Sequence, residues 1–259
     1  MAALDAAIFT IDYIHNNYPA PYTLFLSGGI DSQAMLYAWL QSGKKFNTFS
    51  GIYNFDLNLH DLENLKIVSN FWKTDINYQH FNFFKFLYEE YDMYAKSYRC
   101  PSPHICGYMK MSEMIKDGTA IFSGNFIYNN MFVDRNNFGL YKFAKITKRP
   151  IVPFFFAETE ELAYGFDYPE YGKIDSYKHK VEIYQNNGFP VIPQTNKSTG
   201  FEKMKEYYDI NFDNPCKNKL EYHLTAKQRS TRIFDLLYRN KYESMFGRDK
   251  YFLQSRTIK

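Results

Sequence analysis

The chain has 259 residues, 45% hydrophobic and 23% charged, with a formal net charge of +3. That balance excludes a disordered chain, a collagen-like repeat and a chain-wide polycation built for nucleic acid. It contains 24 Tyr and 25 Phe, so side chains that bury much area each are plentiful enough for a sizeable core. No run approaches the roughly 20 apolar residues of a membrane helix. The first residues lack a basic stretch and carry Asp5 and Asp12, which argues against a signal peptide. With 3 cysteines the chain fits a reducing compartment better than a disulfide framework, so a cytoplasmic protein without a membrane partner is expected.

In chain order, Leu4, Ala7, Ile8, Ile11 and Ile14 predict a helix that stops at Asn16, Asn17 and Pro19. Tyr22 to Leu26 reads as a buried strand, followed by Ser-Gly-Gly-Ile-Asp-Ser and a helix ending near Gly43. Asn47 to Phe55 is a second strand, and Leu62, Leu65, Val68 and Trp72 mark the next helix, with Asp61 near its start. Ile76 to Phe81 is a third strand, with a helix over 83–95 and another over 105–116. Thr119 to Asn125 and Arg149 to Phe156 give a fourth and a fifth strand, the last followed by an acidic helix start. This alternation predicts an α/β fold: a five-stranded, mainly parallel sheet with helices on both faces. Beyond residue 166 only helices are expected, near 175–187, 200–208 and 226–240. The expected division is therefore a sheet domain over 1–166 and a helical, basic region over 167–259.

Ser27 to Ser32 carries the most chemistry. A strand ends, Gly28 and Gly29 permit close backbone approach, and Ile30 opens a helix whose bare N–H groups form an anion site. Ser27 and Ser32 add hydroxyl donors. No lysine follows, so this is not the GxxxxGK[ST] loop. Asp31 would repel a naked phosphate but suits a magnesium–pyrophosphate, where a carboxylate holds the hydrated cation.

Ser-Gly-Gly-Ile-Asp-Ser after an apolar strand resembles the signature of the PP-loop ATP pyrophosphatases, a Rossmann-like superfamily. Ser123-Gly124-Asn125 resembles that family's second glycine turn, and the Arg149–Pro150 strand its arginine-proline strand. The resemblance spans about residues 20 to 165. It implies ATP and Mg as cofactors, with Asp31 as metal ligand. Ser27, Gly28, Gly29, Ile30, Asp31, Ser32, Gly124 and Asn125 would line the nucleotide, and Gly51, Ile52 and Tyr53 would frame its adenine. The acidic residue that many relatives carry just after the second glycine turn is absent here.

Cys100 and Cys106 lie in a proline-rich loop similar to one in tRNA sulfur-transferring relatives. At a helix start the Cys106 thiol is expected to have a lowered pKa, which makes it a candidate nucleophile. Cys216 is the third cysteine, and His104 or His223 could complete a zinc site, though no spacing demands one. Lys148, Arg149 and Arg99 are candidate cations for the developing phosphate charge. Residues 215–259 hold 11 basic and 4 acidic residues interleaved with Tyr and Phe, which suits either an RNA or nucleotide-like partner or a helix docked on the core.

The first expected function is carbon–nitrogen ligation. An acceptor carboxylate or carbonyl oxygen of a small molecule is adenylated with release of pyrophosphate, and ammonia displaces AMP. Residues 1–21 are too short for a fused glutaminase, so ammonia is expected free or from a separate one. The alternatives are sulfur insertion into a tRNA base through Cys100 and Cys106, and nucleotide binding without turnover. A homo-oligomer is left open.

Overall fold

The strands are short, two to seven residues, and three of the five are buried at every residue. β1 (Tyr22–Phe25), β2 (Asn47–Tyr53), β3 (Tyr78–Phe81), β4 (Thr119–Phe122) and β5 (Ile151–Val152) form one sheet in the order β3-β2-β1-β4-β5. Every pairing is parallel. In this computed structural model the described residues are 1–98, 100, 102–124, 135–166 and 177–194. The helices expected over 200–208 and 226–240, and the basic region they belong to, lie outside them.

The helices in chain order are α1 (Ala3–Asn17), α2 (Ile30–Ser42), α3 (Leu59–Trp72), α4 (Phe83–Glu89), α5 (Tyr91–Tyr98), α6 (Pro103–Ser112), α7 (Arg135–Thr147), α8 (Glu160–Gly165) and α9 (Tyr177–Asn186). Strand side chains alternate between two layers, as a pleated strand requires. Leu24, Ile121 and Val152 face a layer built from α1, α2, α3, α8 and α9, where Ile11, Trp39, Phe156, Tyr184 and Phe189 are buried. Phe25, Phe49, Phe122 and Ile151 face a second layer built from α4 to α7, with Phe83, Phe86, Tyr94, Met109 and Phe143. Phe25 stacks on Phe49 and Phe122 at 4.5 and 4.3 Å, so one aromatic row ties three neighbouring strands together. Phe156 meets Tyr184, Phe166 and Phe189 within 6.3 Å. Much of the Tyr and Phe content thus serves packing.

Four details differ from the sequence expectation. The helix expected over 83–95 divides at Glu90, whose φ of −122° is not helical, into α4 and α5. The helix expected from Ile105 begins at Pro103, because Ser102 caps it by accepting from the Ile105 N–H. α7 was not expected, although Leu140 and Phe143 are buried at helical spacing. Finally, the expected boundary at residue 166 separates elements that share one core. Val181, Ile183, Tyr184, Phe189 and Val191 pack in the same cluster as α1 and α2.

Phe156 is fully buried, whereas Phe71 is 65% exposed. Phe156→Ala is expected to cost about 3–5 kcal/mol and lower the urea midpoint at unchanged slope. Phe71→Ala should shift stability by less than about 0.5 kcal/mol in the same measurement.

Candidate functional site

In the order β3-β2-β1-β4-β5 the strand order reverses between β1 and β4, and ligands of open α/β sheets bind at such a point, outside the carboxyl ends of the strands. The segments there are Ser27 to Gly29 after β1 and Ser123 to Gly124 after β4. Gly28 has φ +80° and Gly124 φ +64°, both in the left-handed region open to glycine. A Cβ on Gly28 would lie 2.5 Å from the carbonyl oxygen of Asp61, so α3 packs directly on the loop. The Gly28 carbonyl accepts bonds from the buried amides of Gln33 and Asn64. Ser32 Oγ donates to the Gly29 carbonyl at 2.8 Å and lies 3.5 Å from Ser27 Oγ. Gly29 is the N-cap of α2 and has no side chain to cap it. The Ile30, Asp31 and Ser32 N–H groups are therefore the first-turn donors that a helix leaves without an internal partner.

Sequence reasoning missed what covers this loop. Both oxygens of Asp31 are engaged by α9: Lys180 Nζ donates to Oδ2 and the Tyr184 hydroxyl to Oδ1, each at 2.6 Å. The Lys180 and Asp31 side chains are only 15% and 20% exposed. Gln33 and Ile192 exchange two bonds, the Gln33 amide donating to the Ile192 carbonyl at 3.0 Å and accepting from its N–H at 2.8 Å. Gln194 Nε2 donates to Asp61 Oδ1 at 3.1 Å, and His60 Nε2 lies 3.5 Å from the same oxygen. Residues 180–194 thus reach the loop at Asp31 and Gln33 and its wall at Asp61. No local signal in the sequence points to these pairings, which span 133 to 159 residues. The spacing of Lys180 and Tyr184, one helical turn apart, was the available hint.

Other expected residues fare differently. Gly51, Ile52 and Tyr53 do end β2 on the same edge as the loop. However, the Gly51 carbonyl accepts from Asn58 Nδ2 and the Tyr53 N–H donates to Asn58 Oδ1, at 2.7 and 2.9 Å. The Tyr53 ring is buried against Phe81 and Phe83, so it does not present a face to an adenine; only Gly51 and Ile52 are partly exposed. Burial raises the Tyr53 phenol well above its ordinary range. Lys148 and Arg149 correct a second expectation. They precede β5, and in an all-parallel sheet that is the edge opposite the loop. Lys148 is exposed there, with φ +54°, just beyond α7. An open depression of about 790 Å³, lined by Thr48, Lys73, Lys116 and Asp117 among others, also belongs to that opposite edge. Asn125, Arg99, Cys216 and His223 lie outside the described residues.

The cysteines give a third correction. Cys106 is the fourth residue of α6 and is fully buried, with Sγ donating to the Cys100 carbonyl at 3.3 Å. Burial pushes its thiol well above the usual range, and the neighbouring Cys100 adds to the rise. The expected lowering by a helix start is outweighed, and Cys106 is not poised as a nucleophile. Burial pushes His104, on the same helix, down to about 4, so it is neutral at pH 7. Among the described residues no group of three His, Cys, Asp or Glu side chains is arranged to hold a metal ion. Magnesium asks less of a protein: one or two carboxylates plus substrate phosphates suffice. Asp31 fits that need, since a carboxylate oxygen has more than one acceptor direction.

No protein-family model matches the chain, and no curated protein matches it either. Among the described residues no helix is long and apolar enough to cross a membrane.

Native protein treated with iodoacetamide at pH 8 is expected to leave Cys106 unmodified over a time that fully labels the denatured chain, as read by peptide mass spectrometry. The His104 shift has a signed consequence. Its folded pKa lies below the unfolded value of about 6.5, so the unfolded state takes up the proton first. Stability should fall as pH drops from about 6.5 toward about 4. His104→Gln should flatten that limb in urea melts followed at several pH values.

Proposed function

We propose that the loop at Ser27 to Ser32 binds the phosphates of ATP, and that the protein is an AMP-forming ligase. An acceptor oxygen of a small molecule, carboxylate or carbonyl, would attack the α-phosphate, forming an adenylate and releasing pyrophosphate. Ammonia would then displace AMP, giving an amide from a carboxylate acceptor, and lose a proton. The observation that carries this reading is the left-handed glycine turn at Gly28, opening directly into the N-terminus of α2 at the reversal of strand order. Backbone N–H groups and the positive end of a helix dipole favour a polyanion at that position.

Asp31 is the residue that would hold a magnesium ion accompanying the phosphates, and a bound magnesium would supply charge neutralisation of the leaving pyrophosphate. Ser27 and Ser32 would donate to phosphate oxygens. Burial of Cys106 and its raised pKa weigh against sulfur transfer through this thiol and in favour of nitrogen as the incoming atom.

Full-length protein incubated with ATP, magnesium, ammonium and a metabolite extract should yield AMP and pyrophosphate in equal amounts by mass spectrometry. Asp31→Asn should slow pyrophosphate release by about 10²-fold or more, the scale of losing a preorganised electrostatic group. ADP and phosphate as products, or an Asp31→Asn variant as fast as the parent, would overturn the reading. Binding of ATP with no pyrophosphate from any extract would instead favour a nucleotide-binding protein without turnover.

A further inference from the structure

We propose that the acceptor of this reaction carries an uncharged planar ring, heteroaromatic in class, seated against Tyr108 and His104 of α6; the inference rests on the ligase reading above. Chain direction places these two side chains. α6 ends at Ser112, and the chain then enters β4 at its amino end, Thr119. The start of α6, with His104, therefore stands at the carboxyl edge of the sheet, where Ser27 to Gly29 lies. The Tyr108 ring is 5.5 Å from that of Phe122, the last residue of β4. Tyr108 also acts on the phenol of Tyr53, the last residue of β2. β2 and β4 are the two neighbours of β1. Tyr108 thus spans the end of β1 from the second layer, while α2 and α3 reach the same end from the first.

Ile105, Cys106, Gly107 and Met109 around them are buried, whereas His104 and Tyr108 keep part of their surface open. Burial nevertheless lowers the His104 pKa to about 4 and raises that of Tyr108, and the Asp61 carboxylate adds to the Tyr108 rise. Side chains that solvent reaches and protein still encloses line a recess. Asp61 is the α3 wall of the loop, so that recess is the far side of the same crevice.

The two walls differ in kind. The α2 side carries the Asp31–Lys180 pair. The α6 side carries two rings with centroids 4.4 Å apart, tilted by 49° and uncharged at pH 7. Aromatic pairs favour such offset and tilted contacts, so a third ring can extend this one. Neither ring gives the ammonium of an amino-acid acceptor a counter-charge. In phosphoryl transfer the attacking and leaving oxygens lie roughly in line. With pyrophosphate held at the start of α2, the acceptor oxygen approaches from the α6 side, and the ring on that wall belongs to the acceptor.

The test follows pyrophosphate release by the full chain against dilution of a metabolite extract, and separately against ATP. Tyr108→Leu should raise the half-saturating extract concentration by about tenfold or more, the scale of a lost stacking contact, and leave that of ATP unchanged. Tyr108→Phe should restore most of the loss. An unchanged extract requirement in Tyr108→Leu overturns the proposal, and so does a shift in the ATP requirement alone, which would give the wall to the base of ATP. If Tyr108→Leu does not fold, mass spectrometry of the parent reaction decides: the metabolite consumed as AMP forms should contain a heteroaromatic ring. An aliphatic acceptor overturns the proposal and leaves the ligase reading standing. A parent that releases no pyrophosphate with any extract overturns both.

Discussion

The backbone turn at Gly28 is the constraint on which the site depends. Its φ of +80° allows β1 to end and α2 to begin with only four residues between them. Its missing Cβ allows α3 to sit against the loop, since any side chain would meet the Asp61 carbonyl at 2.5 Å. Its carbonyl is bonded by two buried amides, Gln33 and Asn64. The acceptor end of that peptide is thereby occupied by the protein, and the donor end of α2 is left facing the crevice. A residue with a Cβ would lose the close approach and the conformation together.

The same turn explains why α9 belongs to the sheet domain rather than to an appendage. Gln33 bonds the Gly28 carbonyl and the Ile192 backbone with one side chain, so the loop and the segment after α9 share a partner. Tyr184 is fully buried in the first core layer while its hydroxyl reaches Asp31. Packing energy and site geometry are coupled through that ring. Displacing α9 would expose Phe156, Phe166 and Phe189 and would release the Asp31 carboxylate at the same time.

The parallel α/β architecture was legible because its signals are local. Apolar runs of strand length, a glycine turn and helical stripes recur in order, and Gly43 ends α2 with φ +66° as a left-handed cap should. α7 was harder to read because its buried Leu140 and Phe143 are set among Lys, Tyr and Asn. The glycine turn at Ser27 to Ser32 was legible because strand, turn and helix are contiguous. Its covering was not: Lys180 and Tyr184 reach Asp31, and Gln194 reaches Asp61, only through tertiary packing, and the one-turn spacing of Lys180 and Tyr184 does not by itself name their partner. Lys148 and Arg149 were misread for a geometric reason. A basic pair before a parallel strand lies at the amino edge, whatever the motif around it suggests. Cys106 was misread because helix-dipole reasoning ignored burial, and in an aromatic layer desolvation is the larger effect.

These placements also bear on what kind of chemistry the crevice suits. A site of covalent catalysis needs a nucleophile with a base or another activating group beside it. Ser27 and Ser32 are the hydroxyls on the loop; Ser32 donates to the Gly29 carbonyl, and among the described residues neither has a histidine or carboxylate partner. Among the described residues the two thiols, Cys100 and Cys106, sit in the opposite layer, and burial raises the pKa of Cys106. What converges on the loop instead is a set of fixed charges and donors: the Asp31–Lys180 pair, two hydroxyls and the start of α2. Such a set can bind and polarise a polyanion but supplies no attacking atom. A ligase of the proposed kind takes both nucleophiles, the acceptor oxygen and the ammonia, from its substrates, so its protein needs only positioning and electrostatic stabilisation. The composition of the loop matches that division of labour better than it matches covalent catalysis.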